Sequence, residues 1–220
     1  LLNFLLKWSI CSEARIGYSI FFGCSKIRLG PGSRIGHFNV FSHVASISLA
    51  TNVRVGRLNR FHSGETNRTD LKRELVLAAG VTITSRHFFD CSGSVYVGKN
   101  TTIGGMGSRF WTHQVSIRDD GLQMKEIHIG EYCMIGAGSI ILPGCDLGDC
   151  CVVGAGAVVP AGIHESRILL AGNPAKEMKK FTGDEAYFKR SGWFPGQQSI
   201  INPQQIIIRP DPNNIDEMPG

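Results

Sequence analysis

Between Ile127 and Pro160, branched aliphatic residues return at every sixth position: Ile129, Ile135, Ile141, Leu147, Val153 and Val159. Glycine follows at once in four places, at Gly130, Gly136, Gly148 and Gly154. Four residues after each of the first five aliphatics stands a small side chain: Cys133, Ser139, Cys145, Cys151 and Ala157. A six-residue period fits neither the ~3.6-residue period of an amphipathic helix nor the alternation of a simple strand. It is a repeat. Side chains two apart on a strand share a face, so the small residue and the aliphatic after it point into one interior. The glycine permits a corner that a side chain would obstruct. Three short strands and three corners predict a turn of about 18 residues, and stacked turns bury one continuous aliphatic column.

The pattern reaches back toward the N-terminus through Ile16-Gly17, Leu29-Gly30, Ile35-Gly36 and Phe41-Ser42. It slips by two before Leu49-Ala50 and Val55-Gly56, which predicts a bulge or short insertion within the same fold. Residues 62–76 lose it in a polar run followed by Leu-Lys-Arg-Glu, and this stretch is predicted to leave the column. Pairs return at Val81/Ile83, Val95/Val97 and Ile103-Gly104. Ile103 and Ile129 lie 26 apart, not a multiple of six, so a second excursion is predicted over 114–126. Pro160 and Gly162 end the repeat.

Asn173-Pro174 predicts a turn. Residues 175–181 read as a helical turn or two. Thr182 and Glu185 have capping-box spacing for a second short helix reaching about Arg190. From Gly192 the chain reads as an extended tail, with Ile206, Ile207 and Ile208 a candidate added strand. The expected class is therefore all-β: a parallel β-helix of hexapeptide repeats with short C-terminal helices and an extended tail. Its organisation is an apolar N-terminal segment over 1–15, the β-helix over 16–163, and a C-terminal extension over 164–220.

Composition narrows the reading. Of 220 residues, 42% are hydrophobic and 19% charged, with a net charge of +5. The basic residues are scattered along the chain and show no dense stripe, which argues against a nucleic-acid partner. The seven cysteines form no CxxC pair, so neither a zinc ribbon nor a redox motif is indicated. Cys133, Cys145 and Cys151 fall in the small-residue slot and read as core filler. Unpaired thiols suit a reducing compartment, and the cytoplasm is the expected location. No apolar run reaches the ~18 residues of a membrane span. The apolar opening over 1–8 fits packing on the first coil, or a subunit contact, better than membrane association.

The segment Trp111-Thr112-His113, then an excursion, then the repeated Ile-Gly block and the exit Gly172-Asn173-Pro174-Ala175-Lys176, resembles the hexapeptide-repeat acyltransferases. Among these it is most similar to the maltose and galactoside O-acetyltransferases and to those of polysaccharide pathways. The resemblance implies a left-handed β-helix and a homotrimer with active sites between neighbouring prisms. It also implies acetyl-CoA as co-substrate, no metal, and a sugar or glycan hydroxyl as acceptor. An acceptor hydroxyl attacks a thioester slowly unless a base near neutrality takes its proton, and histidine suits that task. His113 matches the base. Asp90, His87 and Trp111 are the candidate acceptor-binding residues, with Asp90 either contacting a hydroxyl or orienting a histidine. Ala137 and Ala155 match positions whose backbone meets the pantetheine arm, and Lys176 and Lys179 match basic positions near the adenosine phosphates.

Three alternatives stand beside this reading. N-acylation of an amino-sugar nucleotide would use the same base. A zinc enzyme of the γ-carbonic-anhydrase type needs three converging histidines. The His-x4-His spacing of that family is absent, and His37 and His43 fall on successive faces of a coil. A non-catalytic scaffold needs only the repeat.

Overall fold

The computed structural model describes residues 7–64 and 72–191. Three sheets, of eight, nine and seven strands and parallel except for the last strand of the second, form the faces of a triangular prism. Each turn of chain lays one strand on face 1, one on face 2 and one on face 3. Ile127–Ile129, Met134–Ile135 and Ile140–Ile141 make one such turn, and Cys145–Leu147 starts the next on face 1.

The six-residue pattern is the interior of this prism. Ile129 lies on Leu147, Ile135 on Val153 and Ile141 on Val159. All six are buried, as are Cys133, Ser139, Cys145, Cys151 and Ala157. On face 3 the N-terminal part of the column is aromatic. Phe21, Phe41, Phe61, Phe89 and Phe110 stack one above another, with successive ring centroids 4.7, 4.5, 4.8 and 4.4 Å apart.

The phase slip recurs in every early turn. Ile27 pairs with Ile47, Ile35 with Val55 and Phe41 with Phe61, each 20 residues apart, whereas Ile135 and Val153 are 18 apart. The two extra residues sit where face 3 turns into face 1. Both excursions leave from that same edge. The first follows Arg60–His62 on face 3 and returns at Glu74–Leu77 on face 1; the second follows Arg109–Phe110 and returns at Ile127–Ile129. The first is therefore shorter than the sequence suggests. Leu75 and Leu77 are buried, and the charged lead-in Lys72-Arg73-Glu74 masks their strand.

Two other expectations are corrected. The column opens with Trp8–Ile10 and Arg15–Ile16, so residues assigned to a separate N-terminal segment belong to the first coil; residues 1–6 lie outside the described residues. At the other end, Ala175–Lys180 is a strand, not a helix. It pairs antiparallel with Ile168–Gly172, the last parallel strand of face 2. An uncovered strand there would leave a row of backbone groups unpaired, and this need overrides the helical propensity of Ala-Lys-Glu-Met-Lys-Lys. The second helix is a single 3-10 turn, Ala186–Lys189. Thr182 does donate to Glu185 Oε1, from its N–H at 3.2 Å and its hydroxyl at 3.3 Å. The proposed tail strand at 206–208 lies outside the described residues. No helix among the described residues is long and apolar enough to cross a membrane.

Candidate active site

The edge joining face 3 to face 1 carries the ionisable side chains that the sequence singles out. Asp90 ends the strand Phe88–Asp90, and the segment 111–113 passes above it before the antiparallel hairpin of His113–Ser116 and Gly121–Met124. Asp90 is 1% exposed. Its Oδ1 accepts the Ser92 N–H at 3.1 Å and the Ser92 hydroxyl at 2.6 Å. Its Oδ2 accepts the Thr112 N–H at 2.9 Å, the Thr112 hydroxyl at 2.8 Å and His113 Nδ1 at 2.7 Å. Burial pushes this carboxyl up, but the hydrogen bonds from Ser92 and Thr112 outweigh it and hold Asp90 below its ordinary value. An ionised carboxylate only accepts, so His113 Nδ1 carries the proton and Nε2 is the basic nitrogen. The His113 side chain is 39% exposed. Trp111 stands edge-on to it, ring centroids 6.1 Å apart, and packs on Phe88 at 5.0 Å.

This geometry revises the acceptor side. Asp90 is enclosed, and its oxygens are taken by these hydrogen bonds, one of them from His113. His87, also 1% exposed, belongs to a buried column inside the edge between faces 2 and 3, above Asn39 and Asn59. Its N–H donates to Asn59 Oδ1, its Nδ1 accepts the Ser108 N–H, and its Nε2 meets the Thr84 hydroxyl at 2.9 Å. Burial drives its pKa down to about 4, so it is neutral near pH 7. Trp111 stands beside His113. Below Asp90 on the same edge lie His62 and Ser42, whose hydroxyl meets His62 Nδ1 at 2.9 Å. Burial, and after it the Arg60 charge, lower the His62 pKa. Sequence reading missed His62; its signal was the 20-residue register that stacks it on Ser42.

Ala137 and Ala155 occupy a different edge, between faces 2 and 3. They lie one above the other, with the Gly156 N–H donating to the Ala137 carbonyl at 2.8 Å. Gly107, Gly138 and Gly156 line the same edge with φ of +81°, +67° and +69°, and a Cβ on any of them would meet nothing within 4 Å. Lower on this edge the left-handed positions are Phe38, Leu58 and Arg86. The change from bulky residues to glycine falls at the turn that carries His113. It opens a shallow channel of bare backbone over the upper coils. Ala171 closes over Gly154 and pairs with Lys176. Lys176 therefore flanks the channel, while Lys179 lies over the Phe181 ring at 5.4 Å. One prism thus holds His113 and the channel on separate edges. Among the described residues, no cluster of three His, Cys, Asp or Glu could hold a metal.

Residues 126–161 match the family model for the bacterial transferase hexapeptide of six repeats. No curated protein sequence is significantly similar to the chain. Among solved structures, the chain is 19% identical to the polysialic acid O-acetyltransferase OatWY over 79% of this chain and 87% of that one, with a TM-score of 0.51. It is 20% identical to a maltose O-acetyltransferase from Clostridium difficile over 81% and 72% of the two chains, with a TM-score of 0.38. It is 18% identical to a mutant of the N-acyltransferase AntD from Bacillus cereus, solved with dTDP and coenzyme A, over 78% and 79%, with a TM-score of 0.44. The prism is a left-handed parallel β-helix, and its residues 126–161 carry the transferase hexapeptide repeat.

Proposed function

We propose that the protein transfers an acyl group, acetyl in the first instance, from coenzyme A to a hydroxyl of a sugar or glycan, with His113 as the general base. The observation that carries this reading is the Asp90–His113 pair: a buried ionised carboxylate holds Nδ1 of a partly exposed imidazole and leaves Nε2 as its basic nitrogen. The acceptor oxygen attacks the thioester carbon as its proton passes to Nε2. The tetrahedral intermediate then collapses, the C–S bond breaks, and the imidazolium returns that proton to the departing sulfur. Asp90 stabilises the imidazolium between the two transfers. No covalent acyl-enzyme is needed. The glycine channel with Ala137 and Ala155 suits the pantetheine arm, because only bare backbone admits so close an approach, and Lys176 flanks its upper end.

The two halves lie on different edges, so the site is completed between prisms. A homotrimer supplies this if face 3 turns inward and each 3–1 edge meets a neighbour's 2–3 edge. Exposed Ile20 and Phe22 on face 3, and Phe38 and Leu58 on its border, support that side as the assembly face. The direct test is thiol release from acetyl-CoA with a panel of neutral and charged sugars. Release that depends on a sugar and on His113 is expected. Sugar-dependent release that persists undiminished in His113→Ala would refute the assigned base.

A further inference from the structure

The basic residues look scattered in the sequence, but the fold stacks three of them. Arg15 pairs with Arg34 and Arg34 with Arg54 on the outside of face 2, and all three are exposed. Neighbouring strands lie ~4.8 Å apart, so three guanidinium groups project from one flat face within about 10 Å. Like charges placed directly opposite each other destabilise a sheet. Among the described residues Arg15 and Arg34 have no ion pair, and exposed Glu13 in the adjoining corner makes none with them.

Above Arg54 the column continues as Thr82 and Thr102. There a fourth guanidinium arrives from the C-terminal segment. Arg190 donates to the Asn100 carbonyl and, at 3.1 Å, to the Thr102 hydroxyl, and it stacks 3.7 Å from the Tyr187 ring centroid. Beside this junction, and away from His113, lies a cavity of about 330 Å³ lined by Asn52, Arg54, Lys99, Asn100 and Ser191 among others. A charged column therefore leads into a polar cationic pocket.

We propose that this ladder and its pocket bind an extended anionic glycan, with one carboxylate or phosphate facing each rung. The rungs are collinear and evenly spaced, as an extended chain with one charge per sugar unit requires. The outward residues of the column, Arg, Arg, Arg, Thr and Thr, include no aromatic on which bases could stack. Exposed Ile20 and Phe22 belong to face 3, while exposed Tyr18, Phe38 and Leu58 stand on the edge it shares with face 2, so an anionic membrane surface is a rival ligand in the test. That the bound glycan is also the acyl acceptor rests on the acyl-transfer reading; the binding itself does not.

The test uses the full chain with oligogalacturonates, which carry a carboxylate on every residue. Malto-oligosaccharides serve as the neutral match, and single-stranded DNA and phosphatidylserine vesicles as rival polyanions. The oligogalacturonate is expected to bind, with affinity falling as salt rises, and the neutral chain is not. Combined Arg15→Ser, Arg34→Ser and Arg54→Ser is expected to weaken binding at least ~10-fold. The same variant should keep or raise the melting temperature, because a ladder kept only for stability would lower it. No glycan binding at low salt, or equal binding by the variant, overturns the proposal. Ladder-dependent binding of DNA or vesicles tighter than that of the glycan overturns the ligand class. Glycan binding that survives His113→Ala while thiol release is lost keeps the two readings separable.

Discussion

Asp90 takes five hydrogen bonds, from Ser92, Thr112 and His113, and leaves no oxygen free for a ligand. Asp90→Asn keeps the size but turns one acceptor into a donor that faces donors. It should cost about 10²–10⁴ in turnover and lower the melting temperature as well. His113→Gln should cost a similar factor with little change in melting, and the double variant should be no slower than the worse single one, because the pair acts as a unit. Additive losses in steady-state rates would show that they act separately. His87 gives a prediction in pH. Its folded pKa, about 4, lies below the ordinary histidine value near 6.5. Between these values the unfolded chain binds the extra proton, so stability rises with pH across the window and falls as pH drops through it. The loss by pH 4 is on the order of 3 kcal/mol. Asn39 and Asn59 fill the equivalent slot in the coils below, so His87→Asn should fold and flatten that dependence. Urea unfolding at pH 7 and pH 4.5 measures it.

The hairpin of His113–Ser116 and Gly121–Met124 closes its own turn. Ser116 Oγ donates to Asp119 Oδ2 at 2.7 Å and accepts the Asp119 N–H at 3.3 Å. Yet Val115, Ile117 and Leu122 are exposed, Ile117 at 92%. A two-stranded ribbon is marginal alone, and in the proposed trimer a neighbouring prism would cover these side chains. Their combined replacement by serine should leave thermal unfolding of the prism unchanged and shift sedimentation toward smaller species. The existence of this excursion was legible, because Ile103 and Ile129 break the six-residue step; its hairpin form was not, since Arg118-Asp119-Asp120-Gly121 reads only as a polar break. The interior was legible for a simple reason: a column of aliphatics must repeat. The strand at Glu74 was hidden because three charged residues lead into it. The strand at Ala175 was hidden because its local propensity is helical and only the open margin of face 2 makes it extended. Of the site, His113 could be picked out by its Thr-His context. Asp90 and His87 could not be sorted, because burial decides which of them supports the base and which fills the core, and burial depends on how coils stack.

At the scale of the whole molecule, one geometric fact governs the function proposed. His113 stands on the edge between faces 3 and 1, and Ala137 and Ala155 stand on the edge between faces 2 and 3. A rigid prism cannot bring those edges together, so the proposed site needs two chains. Two inactive proteins should therefore complement each other. His113→Ala lacks the base but keeps the channel. Ala155→Trp fills the channel at an exposed corner and keeps the base. In mixed trimers a site is intact only where the base comes from an Ala155→Trp chain and the channel from a His113→Ala chain. With random equal mixing, roughly a quarter of the interfaces meet that condition. Co-expression of the two variants should then restore about that fraction of wild-type turnover, while separately expressed proteins mixed without subunit exchange stay inactive. Co-expression that restores nothing, with both chains shown to sit in one oligomer, would mean that base and channel serve the same chain, and the interprism site would have to be abandoned.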